Sequence, residues 1–136
     1  MAYWLVKSEP SKYAWDRLVA DGRTHWDGVR NHQAANNLKA MRVGDKAFFY
    51  HSNEGKEIVG VATVVKEAYP DPGDASGRFV MVDVEPDKAL RRPVTLQQIK
   101  ADPALSDVAL IRQSRLSVMP IEPGHWKHIL ALSERG

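Results

Sequence analysis

The sequence predicts an α+β domain built on a small curled sheet or barrel of five or six mostly antiparallel strands, with short helices inserted between them. Runs dense in valine, isoleucine, phenylalanine and tyrosine alternate with turn-forming segments, as consecutive antiparallel strands do. Short stretches with a helical spacing of apolar residues interrupt these runs. The glycines stand singly, so the sequence lacks the glycine-rich phosphate loop of a doubly wound nucleotide-binding sheet.

The first part of the chain predicts one strand and two helices. Tyr3–Lys7 is a short apolar run typical of a strand, and the proline-containing segment 8–11 ends it. A short helix is expected from about residue 13 to Asp21, because Gly22 is a helix-ending signal. A second helix is expected over Gln33–Met41, with Asn31 as its N-cap.

The middle of the chain predicts an antiparallel meander. Three runs of β-favouring residues are separated by turn residues, and we expect strands over Lys46–Ser52, Ile58–Ala68 and Arg78–Val84. Consecutive strands joined by turns favour neighbouring antiparallel positions in one sheet.

The last part predicts a short helix, a strand and a closing helix. Thr95 and Gln98 have the spacing of a capping box, so a helix is expected from there to about residue 101. Leu116–Ile121 is typical of a last strand. Pro123 is expected in the first turn of a closing helix whose apolar face includes Trp126.

Length, composition and charge indicate one folded domain over residues 1–136. A chain of 136 residues with 43% hydrophobic and 26% charged residues is ordinary for a globular protein. A net charge of +2 and a pI near 8.9 make the surface mildly basic. Such a surface tolerates a polyanion without neutralising many phosphates, so any affinity for nucleic acid must come largely from a pocket.

Several classes of site are disfavoured by residue content. The chain has no cysteine, which excludes disulfides, thiolate zinc sites and a cysteine nucleophile. Its five histidines lack the spacing of a metal site, and no cofactor or metal is expected. The first residues have neither the basic region nor the long apolar run of a signal peptide or membrane span, so we expect a cytoplasmic protein with no membrane partner.

The segment around Trp26 indicates a pocket for a nucleobase. Trp26 has polar neighbours, and an aromatic plane beside hydrogen-bonding groups and a cation suits a flat ring rich in heteroatoms. Two interpretations stay open, since Trp26 could equally be a core residue. Asn31 could read a base edge with its donor and acceptor, or it could only cap the helix.

The strand that ends at Ser52 offers polar groups but no obvious catalytic pair. Ser8 and Ser52 carry adjustable hydroxyls that could meet a base. His51 and Ser52 are adjacent on a strand, so their side chains point to opposite faces and do not form a nucleophile and base. Glu9, with Asp16 and Asp27, could supply acid and base groups, but the sequence does not set their separation, and we predict no catalytic residue.

A basic patch could contact phosphates. It combines Arg112 and Arg115 with Lys7 and Arg30. The alternative is that these side chains only solvate the surface, and clustering on one face would distinguish the two.

Four blocks of sequence, in order, resemble the signature of EVE domains. The resemblance covers most of the chain, and the blocks are Trp4–Pro10, Trp26–Asn31, Val43–Asp45 with Phe48–Ser52, and Arg112–Val118. EVE domains belong to the PUA-like superfamily and are related to YTH domains, which read methylated adenine in RNA. The resemblance implies a PUA-like β-barrel with flanking helices and a pocket for a modified base.

The resemblance also implies roles for individual residues. Trp26 would form a wall of the pocket and Asn31 a polar reader beside it. The other residues around the opening would be Ser8, Glu9, Tyr50, His51, Ser52 and Gln113. The expected partner is DNA or RNA that carries a methylated or otherwise modified cytosine or adenine, bound without catalysis. The oligomeric state stays open, with a monomer expected.

Two other classes of function remain as alternatives. One is an enzyme that acts on a small molecule or on nucleic acid in the same pocket, with turnover that depends on His51 or Glu9. The other is a protein-interaction module, which would require an exposed apolar patch instead of a closed polar pocket.

Overall fold

The computed structural model describes residues 1–135, and within them six strands and five helices form a mixed α+β structure. The strands are β1 Tyr3–Ser8, β2 Thr24–Trp26, β3 Lys46–His51, β4 Glu57–Pro70, β5 Val80–Thr95 and β6 Val118–Ile121. The helices are α1 Trp15–Asp21, α2 His32–Ala40, α3 Leu96–Ala101, α4 Ala109–Arg112 and α5 Pro123–Glu134. A 3-10 turn, Pro103–Leu105, follows α3.

The sheet confirms the predicted fold class. Its strand order is β2-β5-β4-β3-β1-β6, and β3, β4 and β5 form the expected antiparallel meander. β1 and β3 are parallel, because the long connection through α1, β2 and α2 brings the chain back in the same direction. The predicted barrel is not closed: among residues 1–135, the sheet begins at β2 and ends at β6 without closing.

Three predicted signals for the start or end of a helix are confirmed. The side-chain oxygen of Asn31 accepts a hydrogen bond from Ala34 N at 2.9 Å and caps α2. Gly22 ends α1 in the left-handed conformation, with φ at 74°. Thr95 and Gln98 form the capping box that starts α3.

The structure corrects the predicted end of the third meander strand. β5 continues to Thr95, eleven residues beyond the predicted end at Val84. This strand contains two prolines, but β2 pairs with β5 only at residues 82–84. Beyond residue 84, β5 has only β4 as a partner in the sheet, and its register shifts repeatedly, so the missing N–H groups of Pro86 and Pro93 are tolerated.

Trp126, predicted to lie on the apolar face of the closing helix, is buried in the core. Trp4 and Trp15 are buried as well. Trp126, on α5, stacks on Phe48 with a ring-centroid distance of 3.8 Å and on Tyr3 at 4.5 Å. These contacts fix α5 against β1 and β3. No helix in residues 1–135 is long and apolar enough to cross a membrane.

Candidate functional site

A cleft of about 460 Å³ lies between β2 and the carboxyl end of β1. One wall consists of residues 24–30, which are β2 and the loop that follows it. The other walls consist of the end of β1, the segment just after β1 and the segment just before β6. The lining residues outside 24–30 are Lys7, Ser8, Lys12, Tyr13 and Ser117. The cleft therefore occupies the gap where the sheet does not close.

Trp26 lies between the core and this cleft. Its indole contacts the Phe49 ring edge to face, with a centroid distance of 5.4 Å and an interplanar angle of 85°. Pairing of Trp26 with Val82 of β5 fixes the backbone. Trp26 as a whole is 8% exposed and still borders the cleft. Both interpretations of Trp26 thus describe part of its environment, because one side packs in the core and another faces open space.

The loop after Trp26 is held by a buried carboxylate that the sequence did not indicate. Asp71 Oδ2 accepts hydrogen bonds from Gly28 N at 2.9 Å and Arg30 Nη1 at 3.0 Å, and Oδ1 accepts from Gly73 N at 2.8 Å. The hydrogen bond from Gly28 is the largest contribution to a lowered pKa of Asp71, and Arg30 adds to it against the opposing effect of burial. Asp71 thereby links the wall of the cleft to the proline- and glycine-rich segment 70–77.

A second buried carboxylate supports β2 itself. Asp83 of β5 accepts hydrogen bonds from Arg23 Nη2 at 2.8 Å and from Tyr69 Oη, and its Oδ1 lies 2.8 Å from His25 Nδ1. Burial alone would raise the pKa of Asp83, but the hydrogen bonds from His25, Tyr69 and Arg23 outweigh burial and lower it to about 2. Asp83 lies 58 residues from His25 in sequence, so no local signal could have found this pair.

Two of the cleft's cations and one hydroxyl have defined partners. Lys7 Nζ donates to Ser114 O at 2.8 Å, and partial burial lowers the pKa of Lys7. Lys12 Nζ lies 3.3 Å from a carboxylate oxygen of Glu9. The Ser8 hydroxyl donates to Tyr13 O at 2.6 Å, which leaves the hydroxyl oxygen available as an acceptor.

A shallower groove of about 340 Å³ adjoins the cleft through the Lys7–Ser114 contact. Gln33 Nε2 donates to Gln113 Oε1 at 2.7 Å across this groove. Its lining residues come from the start of α2 and the segment after α4, and they are Asn31, Gln33, Arg112, Gln113, Ser114, Arg115 and Leu116. The predicted basic residues Arg112 and Arg115 therefore share one surface with Asn31, although Asn31 also caps α2.

The remaining predicted site residues do not line the cleft. Tyr50 is buried, with Lys7 Nζ 5.8 Å from its ring centroid. His51 Nε2 accepts a hydrogen bond from Trp15 N at 3.0 Å, and burial lowers the pKa of His51. His51 thus supports the start of α1.

Ser52 and Glu9 make contacts outside the cleft lining. Ser52 N donates to Ser8 O at 3.0 Å, and Glu9 Oε1 accepts from Asn53 Nδ2. The structure brings Lys7, Ser8, Trp26 and Arg30 into one cleft. It places Asn31, Arg112, Gln113 and Arg115 in the adjoining groove. Contact of any of these residues with a ligand stays a prediction.

No group of three or more histidine, aspartate and glutamate side chains in residues 1–135 has the arrangement of a metal site. Where the histidines form hydrogen bonds, their partners are aspartate, tyrosine or backbone groups. The residues that line the cleft include one tryptophan, two lysines, one arginine, one histidine, one aspartate and four residues with hydroxyl groups.

The open six-stranded α+β sheet matches the fold of PUA-like and YTH-like domains. The YTH domain of Zygosaccharomyces rouxii MRB1, solved in complex with N6-methyladenosine RNA, superposes with a TM-score of 0.63 at 19% identity, over 98% of this chain and 87% of that one. A model of the EVE domain family matches residues 2–132. The chain belongs to the EVE domain family, as its sequence blocks indicated.

Individual relatives match over nearly the whole chain. Thymocyte nuclear protein 1 of Rattus norvegicus is 36% identical, over 97% of this chain and 74% of that protein. A Rhodopseudomonas palustris protein solved by NMR has 57% identity and a TM-score of 0.93, covering 98% of this chain and 93% of that one. Human THYN1, solved in complex with 5-methylcytosine containing DNA, has 33% identity and a TM-score of 0.93, covering 100% and 99%.

Proposed function

We propose that this protein binds nucleic acid and reads a modified base in the cleft beside Trp26. The observation that carries the proposal is the position of that cleft, which opens at an aromatic wall in the gap of the sheet. The similarity to human THYN1, which was solved with 5-methylcytosine containing DNA, supports the same ligand class. The protein acts as a reader and does not transform the base.

The dimensions and chemistry of the cleft suit one base. Its volume of about 460 Å³ lies within the range of small-ligand sites. Removing a base from its stack costs a few kcal/mol, and contact with an aromatic ring returns about 1 to 3 kcal/mol. The difference between a modified and an unmodified base must therefore come from hydrogen bonds and methyl contacts in the cleft.

Donors and acceptors for such hydrogen bonds are present. Trp26 borders the cleft, and its indole N–H is a hydrogen-bond donor. Ser8 offers its hydroxyl oxygen as an acceptor. A donor and an acceptor on neighbouring walls are the minimum needed to read the edge of a base.

Cations around the base site provide a path for the backbone of the nucleic acid. Lys7, Lys12 and Arg30 border the cleft, and Arg112 and Arg115 border the adjoining groove. With a net charge of only +2, the overall charge attracts a polyanion weakly, so the local clustering of cations matters more. Phosphate contacts there would position the strand while the cleft specifies the base.

The test is direct binding to a matched panel of short DNA and RNA oligonucleotides at fixed salt. The panel contains single- and double-stranded forms, each with and without 5-methylcytosine, 5-hydroxymethylcytosine or N6-methyladenine. We expect preference for one modified oligonucleotide over its unmodified counterpart. Equal, salt-sensitive binding to all members would indicate phosphate contact alone and would contradict base reading.

Two substitutions at one position separate stacking from packing. Trp26→Leu keeps an apolar side chain but removes the ring, and we expect about tenfold weaker binding of the preferred oligonucleotide. Trp26→Phe keeps a ring and is the matched control, for which we expect a smaller loss. Circular dichroism and urea unfolding of both variants would show that the fold persists. Equal affinities for wild type and Trp26→Leu would exclude a stacking role.

A further inference from the structure

The geometry points to His25 as a further nucleic-acid contact: its imidazole binds a phosphate oxygen at the rim of the cleft, and only in its protonated form. This inference rests on the proposed function and deepens it, because it makes binding depend on pH near neutrality. The site residues predicted from sequence do not include His25 or the groups that orient its ring.

His25 is placed where a backbone phosphate could reach it. It precedes Trp26 on β2 and lines the same cleft. Its side chain is 64% exposed, in contrast to Asp83 behind it, whose side chain is 4% exposed. Adjacent strand residues point to opposite faces, so Trp26 turns towards Phe49 while His25 lies on the other face of β2. Because β2 is an edge strand of the sheet, an exposed side chain on that face can still meet a nucleic-acid backbone that passes over the edge beside Trp26.

Two buried or half-buried groups determine which nitrogen of His25 carries hydrogen. Asp83 is ionised and can only accept hydrogen bonds. Burial and the hydrogen bond to Asp83 raise the pKa of Tyr69 to about 12, so the Tyr69 hydroxyl keeps its proton and donates it to Asp83. His25 Nδ1, 2.8 Å from Asp83 Oδ1, must then be the protonated nitrogen of the neutral ring.

The consequence concerns the other ring nitrogen, Nε2. In the neutral ring Nε2 carries a lone pair and can only accept a hydrogen bond. Phosphate oxygens are acceptors as well, so the neutral ring offers them nothing. When the ring takes up a second proton, Nε2 becomes a charged donor while Nδ1 keeps its bond to Asp83. The contact with phosphate thus requires the imidazolium form.

The charges that face His25 come from several elements. Asp83 and Glu85 lie on β5, and Arg23 precedes β2 and pairs with both, at 2.8 and 3.8 Å. Tyr69 of β4 lies 2.9 Å from Nδ1, and Lys66 Nζ is 3.8 Å from the Tyr69 ring centroid. The cleft itself adds Asp27, Lys7, Lys12 and Arg30. Among these groups only histidine normally changes charge between about pH 5 and 8.

The sign of the pH dependence follows from this arrangement. A phosphate contact favours the protonated ring, so affinity is highest at acid pH, where both ring nitrogens carry a proton. The extra affinity is lost as pH rises and the ring gives up its second proton. If His25 instead met a donor on the nucleic acid, the neutral ring would be favoured and the dependence would have the opposite sign.

The experiment measures affinity for the preferred oligonucleotide of the panel across about pH 5.5 to 8 at constant ionic strength. For wild type we expect binding about fivefold tighter at the acid end, the size expected for one exposed contact to a charged group. His25→Gln should give a nearly flat profile, at the affinity that wild type shows at the alkaline end. Because His25 is exposed, this variant should fold normally.

His128→Gln is the matched control. His128 also pairs with an aspartate, Nε2 to Asp102 Oδ2 at 2.6 Å, but it lies on α5 and lines neither the cleft nor the adjoining groove. Its variant should keep the wild-type profile. An NMR titration of the His25 ring, with and without oligonucleotide, provides a readout that a purely structural role would not change, and we expect its midpoint to rise on binding.

The outcomes distinguish this inference from the function on which it rests. Base-selective binding with a flat pH profile in wild type, or an unchanged profile in His25→Gln, would overturn the role of His25 and leave the reader function intact. Tighter binding at high pH would overturn the phosphate assignment. Failure to bind any oligonucleotide at any pH would overturn both. A pH step that disappears only in His25→Gln, with a raised NMR midpoint, would establish the contact.

Discussion

Trp26 and Trp126 are almost equally buried, at 8% and 4% exposure, yet their surroundings differ. Trp126 is stacked between two rings, Phe48 and Tyr3, so both of its faces are in contact with protein. Trp26 makes one edge contact with Phe49, and its other surroundings include the cleft. The comparison teaches that burial alone does not separate a core tryptophan from one that can bind a ligand, because the distinction lies in which surface lacks a protein partner.

The largest expected effect tests this difference through stability. Trp126→Ala leaves a cavity between two aromatic rings, and we expect a loss of about 4 kcal/mol in the free energy of unfolding. Trp26→Ala should cost less, because part of the space it leaves is continuous with the cleft and already open to solvent. Urea unfolding of both variants measures the two losses. Equal losses would mean that Trp26 is as fully packed as Trp126 and that the cleft contributes no free surface to it.

The same two regions differ in how far the sequence could predict them. Trp126 lies in an apolar helical pattern, and its burial follows from neighbours three and four residues away. The N-cap at Asn31 and the end of α1 at Gly22 also depend on local chemistry, and both were predicted. β2 was not, since its three residues form a strand only by pairing with residues 82–84 of β5. Asp71 and Asp83 escaped prediction for the same reason, because their partners in and around β2 lie some 40 to 60 residues away in sequence.

A second prediction concerns the stability of the fold at acid pH. Carboxylates stabilise the side of the molecule next to the cleft, whereas aromatic stacking stabilises the side that carries α5. The pKa of Asp83 is lowered to about 2 in the folded protein, against about 3.9 for an unfolded aspartate. A depressed pKa stabilises the fold above the unfolded value, and this stabilisation is lost as pH falls through the folded value. We expect a loss of about 2 kcal/mol between about pH 4 and pH 2 from Asp83.

Urea unfolding at a series of pH values measures this loss. Asp83→Asn removes the titrating group, so its stability should fall less steeply than that of wild type over the same range. Asp71 also has a lowered pKa and remains in the variant, which explains why some acid sensitivity should persist. Parallel profiles for wild type and Asp83→Asn would contradict the assignment of this sensitivity to the carboxylate behind β2.

The smallest expected effect compares two glycines with nearly the same backbone conformation. Gly28, in the cleft loop, has φ at 76°, and Gly22, at the end of α1, has φ at 74°. Neither position has an atom within 4 Å of an added Cβ, so Gly→Ala acts through the backbone and not through a clash. Because the left-handed conformation disfavours a side chain, each substitution should cost about 1 kcal/mol in stability.

Binding should then separate the two variants, because only Gly28 belongs to the cleft. Gly28 N donates to Asp71, and a shift of this peptide would move the loop that carries Arg30. We expect Gly28→Ala to weaken oligonucleotide binding severalfold and Gly22→Ala to leave it within error of wild type, at matched losses of stability. Equal affinities of the two variants would show that the loop tolerates the strain without moving its side chains. The hydrogen bonds of Asp71 would then stabilise the protein without positioning the site.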